Sequence, residues 1–434
     1  MLTQHQQEKF DEVVDLLKAG HKRIVLQGSA GVGKTYLVGE LVKLFKRDYT
    51  INPDYNNGSV FVTAPTNKAL AVLKGKVDSN VEFKTIHSAL KLRRYVNGKT
   101  GQVSFVKAWS KEDDFRKCKL AVIDEVSMLN TLLEGGNDPG TGEYLKGYLD
   151  EYGFPIIYVG DDKQINPVGE PYSPVFRKDY PVVELTEIIR QGNGNPIIDL
   201  SRDIDMVFFK MPNIIDGKGY LYNNNKSDII DSLAEVNGTD EMKYLAFTNV
   251  DIDEMNKLVR ERRYGVPKKI ERDETLVFNS PFESFYTNKE VKVELVELVT
   301  ANVPVPNHNT RFDNENKPIN EVDSIRMKYY RINNSFNVIH EESEGIFKRV
   351  SESLKYNCSK LGWNWKGKFF FEEQFADIKY NHAITVHKSQ GSTYKTSVIN
   401  IGNIMINRKA EERQRLLYTA ITRASDLVIL NNVK

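Results

Sequence analysis

The chain has 434 residues and a net charge of +1, with 40% hydrophobic and 27% charged residues. This length predicts two or three domains, and no apolar run approaches the roughly 20 residues of a membrane-spanning helix. Two cysteines are too few for a disulfide framework or a structural zinc site, and the polar N-terminus lacks the apolar core of a signal peptide, so we expect a soluble, cytoplasmic protein.

A phosphate-binding loop is the first clear feature along the chain. Residues 22–27 are predicted to form a buried strand, and a helical pattern begins at Tyr36. Glycines between them let backbone N–H groups face phosphates, Lys34 can reach the β- and γ-phosphates, and the Thr35 hydroxyl can bind Mg²⁺. The sequence therefore predicts an ATP and Mg²⁺ site formed by Gly28, Ser29, Ala30, Gly31, Val32, Gly33, Lys34 and Thr35.

Residues 83–111 supply a local argument for a nucleic-acid partner, since the near-neutral net charge supplies none. This window has seven basic residues and no acidic one. A solvated charged loop is the alternative interpretation. Within the window, β-rich arms flank Asn97-Gly98, a pair typical of tight hairpin turns. We therefore predict a β-hairpin at about residues 91–107 that interrupts the first domain.

An acidic pair follows the apolar segment 119–123, which is predicted to be a strand. A carboxylate from a neighbouring strand complements a phosphate loop, so Asp124 is predicted to hold Mg²⁺ and Glu125 to orient and deprotonate the attacking water. Solvated acids at a strand end are the alternative, which the presence of the phosphate loop disfavours. With further strands at 60–64 and 155–160, the alternation of strands and helices predicts a doubly wound parallel sheet that binds ligands at the carboxyl ends of its strands.

An inserted domain is required because well over a hundred residues separate the predicted strand 245–249 from Thr385. Residues 290–299 alternate polar and apolar side chains like a strand of a small barrel, and 302–326 are predicted to be a polar excursion. An aromatic segment includes Trp363, Trp365 and residues 369–371. These rings could stack on bases or form a small core, and a core is favoured.

Further short motifs occur in a fixed order: LTQHQ at 2–6, TAPTNKA at 63–69, TIHS at 85–88, GDDKQ at 160–164, ELTEIIR at 184–190, AITVHKSQGS at 383–392 and LYTAITRA at 417–424. With the phosphate loop and the acidic pair, this series resembles the superfamily I DNA helicases, in particular the phage Dda-type and RecD-like enzymes of the 5′–3′ subgroup. The resemblance implies two RecA-like P-loop NTPase domains, at 1–185 and at 186–262 with 376–434. It also implies that the hairpin is a pin and that 263–375 form an SH3-like β domain with extra elements.

The resemblance assigns nucleotide-binding roles to residues outside the phosphate loop. Gln6 would contact adenine, with Gln4 and Gln7 close enough to serve instead. Gln164 would sense the γ-phosphate, and Gly391 would lie toward the ATP. Arg190 and Arg423 would neutralise charge in the transition state.

The resemblance also implies contacts to a nucleic-acid strand at loop ends, where hydroxyls and backbone amides bind phosphates without reading sequence. For Thr85 and Ser88, helix capping is the alternative. The predicted strand-binding residues are Pro65, Thr66, Asn67, Thr85, His87, Ser88, Thr385, His387 and Lys388.

The function implied is an ATP-dependent DNA helicase or translocase that moves 5′–3′ along single-stranded DNA and unwinds forked duplex DNA, with the hairpin separating the strands. A nucleotide-switched DNA-binding ATPase and a protein-displacing translocase that unwinds little are the alternatives, and the complete hydrolytic set argues against the switch. The resemblance implies ATP and Mg²⁺ as cofactors and single-strand-binding or replication proteins as candidate partners. It further implies a monomer without membrane association, in the host cytoplasm if the protein is phage-encoded.

Overall fold

The structure is a computed structural model that describes residues 2–47, 59–77, 81–107, 118–130, 153–167, 170–177, 179–187, 195–236, 240–265, 268–283 and 285–432. The chain divides into two compact units, one made of residues 1–92, 107–259 and 382–434 and the other of 93–106 and 260–381. Within the described residues, no helix has the length and apolar character needed to cross a membrane.

The N-terminal part of the chain contains α1 (Gln4–Lys18), β1 (Arg23–Gly28), α2 (Lys34–Arg47), β2 (Ser59–Ala64), α3 (Asn67–Lys74), β3 (Glu82–Thr85), α4 (Ile86–Ala89), β4 (Leu92–Val96), β5 (Val103–Lys107), β6 (Cys118–Ile123), β7 (Ile156–Gly160) and β8 (Val182–Leu185). The middle part continues with α5 (Pro196–Arg202), β9 (Asn213–Ile215), β10 (Lys218–Tyr222), α6 (Lys226–Glu235), β11 (Met242–Ala246) and α7 (Asn249–Tyr264). There follow β12 (Thr275–Phe278), β13 (Glu290–Lys292), β14 (Val296–Val305), β15 (Asp323–Ile332), β16 (Phe336–Ile339), α8 (Glu341–Leu361), α9 (Trp365–Glu372) and β17 (Ile378–Tyr380). The C-terminal part adds β18 (Ala383–Thr385), β19 (Tyr394–Asn400), α10 (Ile401–Ile404), α11 (Ala410–Thr422) and β20 (Ala424–Asn431).

The first lobe is built on a parallel six-stranded sheet in the order β3-β2-β6-β7-β1-β8. Alternate residues of each strand face opposite sides, so Ile24 and Leu26 enter the core under α1 and α2, whereas Val25 enters the core that contains α4. Because both faces are covered, the strands are nearly continuous apolar runs, as predicted for a doubly wound sheet. One detail differs from the prediction: β7 lies between β1 and β6, so the acidic pair does not follow a strand that neighbours β1.

The second lobe belongs to the same compact unit and has its own six-stranded sheet, in the order β18-β11-β19-β20-β10-β9. Its strands are parallel except for β9, which runs antiparallel to β10 at one edge. Helices α5 and α11 pack on one face and α6 and α7 on the other. The two lobes therefore repeat one architecture, with a parallel sheet between two helical layers.

The second compact unit contains two antiparallel three-stranded sheets, β13-β12-β17 and β14-β15-β16. The predicted strand at 290–299 is interrupted, because β13 ends at Lys292 and β14 begins at Val296. The predicted polar excursion at 302–326 is too long, since residues 302–305 pair with residues 323–326 in the β14–β15 ladder. The favoured core interpretation is right for Phe371, which is fully buried in this unit.

Strands β4 and β5 form a two-stranded hairpin within the second unit. The turn does not centre on Asn97-Gly98: the Asn97 N–H donates to the Gln102 carbonyl at 2.9 Å, and Gly101 takes the left-handed conformation with φ +73°. The hairpin packs on α9, where the Trp365 N–H donates to the Gly98 carbonyl at 2.9 Å and the Arg94 guanidinium lies over the Phe369 ring. A side chain at Gly101 would collide with the Trp365 ring, 2.5 Å from its Cβ position.

Candidate active site

A cavity of about 560 Å³ lies between the two lobes of the first unit. It is lined by eleven of the predicted nucleotide and metal residues: Gln6, Ala30, Gly31, Gly33, Lys34, Thr35, Asp124, Glu125, Gln164, Gly391 and Arg423. Gly28, Ser29 and Val32 belong to the same loop without lining the cavity, and Arg190 lies outside the described residues. Residues that are far apart in the sequence therefore line the same cavity.

The loop between β1 and α2 depends on glycine at three positions. Gly31 and Gly33 have φ values of +89° and +82°, which only glycine adopts without strain. A side chain at Gly28 would lie 2.5 Å from the Leu185 carbonyl oxygen of β8. Across this loop, the Lys34 ammonium donates to the carbonyls of Gly28 at 2.6 Å and Ser29 at 3.0 Å.

Gln6 connects the start of α1 to this loop. Its side-chain oxygen accepts from the Thr3 N–H at 3.1 Å in a capping box, and its Nε2 donates to the Val32 carbonyl at 3.3 Å. Gln6 is buried at the cavity wall, and both ends of its amide already form hydrogen bonds with neighbouring backbone groups.

The acidic pair lies at the carboxyl end of β6. The Asp124 carboxylate accepts from the Glu125 N–H at 2.9 Å. Burial and the charge of Glu125 raise the pKa of Asp124 to about 7, while Lys34 opposes the rise. Glu125 has a left-handed backbone at φ 52° and ψ 43°, a conformation that costs energy for a residue with a side chain.

No cluster of three or more His, Cys, Asp or Glu side chains in the described part of the chain could hold a metal by itself. The Thr35 hydroxyl and the Asp124 carboxylate both line the cavity and are hard oxygen ligands. Mg²⁺ usually takes only one or two carboxylates, and its remaining ligands are water and substrate phosphates. This donor set therefore fits Mg²⁺ that arrives with a nucleotide, and it does not form a closed protein site.

Arg423 brings a cation without a counter-ion to the cavity, and Gln164 brings a side-chain oxygen without a hydrogen-bond partner. Arg423 is 4% exposed, and its guanidinium donates to the carbonyls of Thr419 and Ser392, each at 3.2 Å. No carboxylate among the described residues pairs with this cation. The Gln164 side-chain oxygen is buried and has no hydrogen-bond partner within the described chain. A buried cation without a counter-ion favours an anionic ligand.

Seven residues that sequence reasoning did not assign to the nucleotide site also line the cavity: Thr3, Tyr36, Ala69, Val72, Lys76, Ser392 and Thr393. Tyr36 directly follows Thr35, and Ser392 directly follows Gly391, so adjacency to the motifs was a usable signal for both. Lys76 has no such signal, because it reaches the cavity only through the fold of the segment after α3.

The predicted strand-binding residues of the first lobe lie after β2 and β3, which are parallel neighbours with Ala64 beside Thr85. Pro65, Thr66 and Asn67 therefore lie close to Thr85, His87 and Ser88 at one edge of the sheet. The capping alternative is observed for Thr85, whose hydroxyl accepts from the Ser88 N–H at 3.3 Å. Burial lowers the pKa of His87, so this imidazole is neutral at pH 7.

The predicted strand-binding residues of the second lobe lie at and just after the end of β18, the edge strand of its sheet. Thr385 pairs in register with Ala246, and its hydroxyl accepts from the Lys388 N–H at 3.4 Å. The His387 ring lies 6.1 Å from that of Phe247, and burial lowers the pKa of His387. In each lobe the predicted residues thus lie at the carboxyl ends of strands at or next to one edge of the sheet.

A buried amide that sequence reasoning missed holds the loop beside Thr385. The Asn403 side-chain oxygen accepts from the N–H groups of Phe247 and Thr248, each at 2.9 Å, and its Nδ2 donates to the Thr248 hydroxyl at 3.0 Å. Asn403 follows β19 on a different segment, so no local pattern announces its role in fixing the loop after β11.

Two family models match the chain: residues 1–206 match the AAA domain, and residues 380–431 match the UvrD-like helicase C-terminal domain. The ATP-dependent DNA helicase dda of Enterobacteria phage T4 is 26% identical over 97% of both chains. An uncharacterised protein of Acanthamoeba polyphaga mimivirus is 28% identical over 94% of both chains.

Among solved structures, the Pif1 helicase from Bacteroides in complex with ADP-AlF3 and ssDNA superposes with a TM-score of 0.51. The match covers 99% of this chain and 92% of that one at 16% identity, and it supports a RecA-like α/β helicase fold. The order of the motifs, the two family models and the full-length relative agree. Together they support a superfamily I helicase similar to the Dda enzyme, and the likeness to Pif1 supports the same fold.

Proposed function

We propose that the protein is an ATP-dependent DNA helicase that moves along single-stranded DNA and unwinds forked duplex DNA. The observation that carries this function is the position of Arg423, a buried cation of the second lobe without a carboxylate partner in the described chain, in the same cavity as Lys34 of the first lobe. A nucleotide triphosphate would give Arg423 its counter-charge, so one nucleotide would contact both lobes.

In this proposal the first lobe holds the triphosphate and prepares the attacking water. The loop from Gly28 to Thr35 surrounds the phosphates, with Lys34 released from its present carbonyl partners to bind the β- and γ-phosphates. Thr35 and Asp124 would bind Mg²⁺, which neutralises charge on the phosphate oxygens. Glu125, placed beside Asp124 at the cavity wall, would orient and deprotonate the water.

The second lobe would complete the site only when it lies close to the first. Arg423 would stabilise the charge of the transferring phosphoryl group, together with the predicted Arg190. The unpartnered side-chain oxygen of Gln164 would accept from the attacking water, and its Nε2 would donate to the γ-phosphate. Loss of the γ-phosphate would remove contacts that favour the closed arrangement, so the lobes would reopen.

The DNA strand would cross the carboxyl ends of the edge strands β3 and β18, which carry the residues around His87 and His387. Both imidazoles are partly buried, which lowers their pKa values, so they would contact the strand as neutral rings rather than as cations. The phage relative is named an ATP-dependent DNA helicase, which favours DNA as the polynucleotide. Movement in the 5′–3′ direction is proposed from the family resemblance.

The hairpin β4–β5 is proposed to be the pin that separates the strands. It packs on α9 through Arg94, Gly98 and Gly101, so its tip is held by its own unit instead of projecting freely. We further propose that 263–375 form the SH3-like insertion, between a first motor domain at 1–185 and a second at 186–262 and 376–434. The small antiparallel sheets of the second unit support an inserted β domain.

A forked-duplex assay tests this function. Duplexes with a 5′ or a 3′ single-stranded tail are incubated with protein and ATP, and ATP hydrolysis is measured in parallel with and without single-stranded DNA. We expect unwinding of the 5′-tailed fork and faster hydrolysis with DNA present. Stimulated hydrolysis without unwinding would instead identify a translocase that displaces proteins, and hydrolysis indifferent to DNA would rule out a motor.

A further inference from the structure

Tyr418 joins the two lobes at the edge of the nucleotide cavity. It lies on α11 of the second lobe and is 4% exposed. Its hydroxyl donates to the Asp161 carboxylate of the first lobe at 2.7 Å and accepts from the Ala30 N–H of the phosphate loop at 3.4 Å. Burial and the neighbouring Asp161 raise the pKa of Tyr418, so the hydroxyl keeps its proton at any physiological pH.

The peptide group between Ser29 and Ala30 is held from both sides. Its carbonyl accepts from the Lys34 ammonium at 3.0 Å, and its N–H donates to the Tyr418 hydroxyl. When Lys34 turns toward phosphates, this peptide loses one of its two partners. The state of the phosphate-binding lysine is therefore linked through a single peptide group to a side chain of the other lobe.

The same hydroxyl reaches the loop that carries Gln164. Asp161 begins this loop directly after β7, and its second carboxylate oxygen accepts from the Lys163 N–H at 3.0 Å. Two other side chains of the second lobe also grip the loop: Arg415 donates to the carbonyls of Asp162 and Gln164, and Gln390 donates to the Ile165 carbonyl. The loop is thus bound to the second lobe along its length.

We propose that Tyr418 is a positioning residue that couples the phosphate loop and the Gln164 loop to the movement of the second lobe. Its hydroxyl is the only atom among the described residues that bonds to both loops from α11. Tyr418 does not line the nucleotide cavity, so it acts through Ala30 and Asp161 and not by touching the nucleotide. This role rests on the proposed motor function, and it concerns how hydrolysis is transmitted, not whether ATP binds.

The test compares Tyr418→Phe with Tyr222→Phe in the full-length protein. Both changes remove one hydroxyl, but the Tyr222 hydroxyl donates to the Val207 carbonyl inside the second lobe. A hydrogen bond to a charged group corresponds to roughly a tenfold to hundredfold change in an equilibrium. We expect Tyr418→Phe to lower DNA-stimulated kcat and the base pairs opened per ATP by about tenfold or more, with the KM for ATP changed less than about twofold. Tyr222→Phe should behave like the wild type.

Asp161→Asn provides a second test if Tyr418→Phe does not fold, because it leaves the tyrosine in place. Combined with Tyr418→Phe, it should cause no further loss of coupling, since each variant removes the same hydrogen bond to a charged acceptor. Full coupling in Tyr418→Phe, or equal losses in Tyr418→Phe and Tyr222→Phe, would overturn this role while leaving the motor function intact. If ATP hydrolysis by the wild-type protein does not change when DNA is added, the proposed function would instead be overturned.

Discussion

Replacing Arg423 with glutamine tests whether the second lobe supplies a transition-state cation. Removing such an arginine costs roughly 10³ to 10⁵ in turnover, or about 4 to 7 kcal/mol at 1.36 kcal/mol per tenfold. The glutamine amide can still donate to one of the two carbonyls that accept from Arg423, so the other carbonyl loses its hydrogen bond. This loss should lower the free energy of unfolding by about 1–3 kcal/mol. Removal of a buried, unpaired charge offsets part of that cost.

These magnitudes separate a catalytic defect from a folding defect. The free energy of unfolding of globular proteins is about 5–15 kcal/mol, so a loss of about 1–3 kcal/mol leaves nearly all molecules folded. Such a loss cannot lower kcat a thousandfold. Phosphate release at saturating ATP and single-stranded DNA measures kcat, and binding of a fluorescent ATP analogue measures affinity. Arg413→Gln is the matched control, since Arg413 lies on the same helix and its guanidinium donates to the Asn407 carbonyl within the second lobe. If Arg423→Gln turns over within tenfold of this control, Arg423 is not a transition-state residue.

The remaining predictions concern other parts of the molecule. Glu125→Gln should bind ATP with near wild-type affinity but hydrolyse it at least about a hundredfold more slowly, as measured by analogue binding and phosphate release. Deletion of residues 92–106 should abolish unwinding of forks while single-strand-stimulated hydrolysis persists, and equal loss of both would contradict a pin. Lys388→Ala should reduce the salt dependence of single-strand affinity by about 0.7 in the log–log slope, as measured by fluorescence anisotropy at several salt concentrations. Arg260→Met should destabilise the protein by about 3–5 kcal/mol in urea unfolding, because it leaves Glu274 buried without its bidentate partner. Burial raises the pKa of Glu274, so above about pH 4.5 the folded state binds more protons at this carboxyl than the unfolded state does. The stability of the wild type relative to Glu274→Gln should therefore fall as the pH rises above about 4.5, as measured by urea unfolding at several pH values.

The parts of the site that the sequence predicts are those encoded by short contiguous segments. The phosphate loop needs glycines and a lysine within eight positions, and the acidic pair needs only the strand that precedes it. Parallel strands all end at one edge of their sheet, so Lys34 and Asp124 converge there even though the strand order was predicted incorrectly. Convergence of these motifs is thus insensitive to which strand lies next to which.

The parts that sequence could not supply depend on contacts between segments. Nothing local distinguishes Tyr418 from the buried apolar residues beside it on α11, because its partners Ala30 and Asp161 are far away in the chain. The hairpin turn was misplaced for a similar reason. Asn97-Gly98 is a strong local signal, yet the tip packs against Asn364 and Trp365, and the left-handed position falls on Gly101 instead.

In the proposed function, helix α11 would connect the nucleotide to the second lobe. Arg423 follows its last turn, and Tyr418 and Arg415 lie in its middle, where Arg415 binds the loop that carries Gln164. A packed helix moves as a body, because close-packed interiors transmit a displacement rather than absorb it. Any change at the phosphates that moves one of these contacts must therefore move the sheet of the second lobe, including β18 and the Thr385 loop at its edge. Coupling free energies are reciprocal, so a DNA strand that favours one position of the lobes must change the affinity for ATP by the same factor. Measuring ATP affinity with and without single-stranded DNA, in the wild type and in Tyr418→Phe, thus tests the same coupling through the effect of DNA on nucleotide binding.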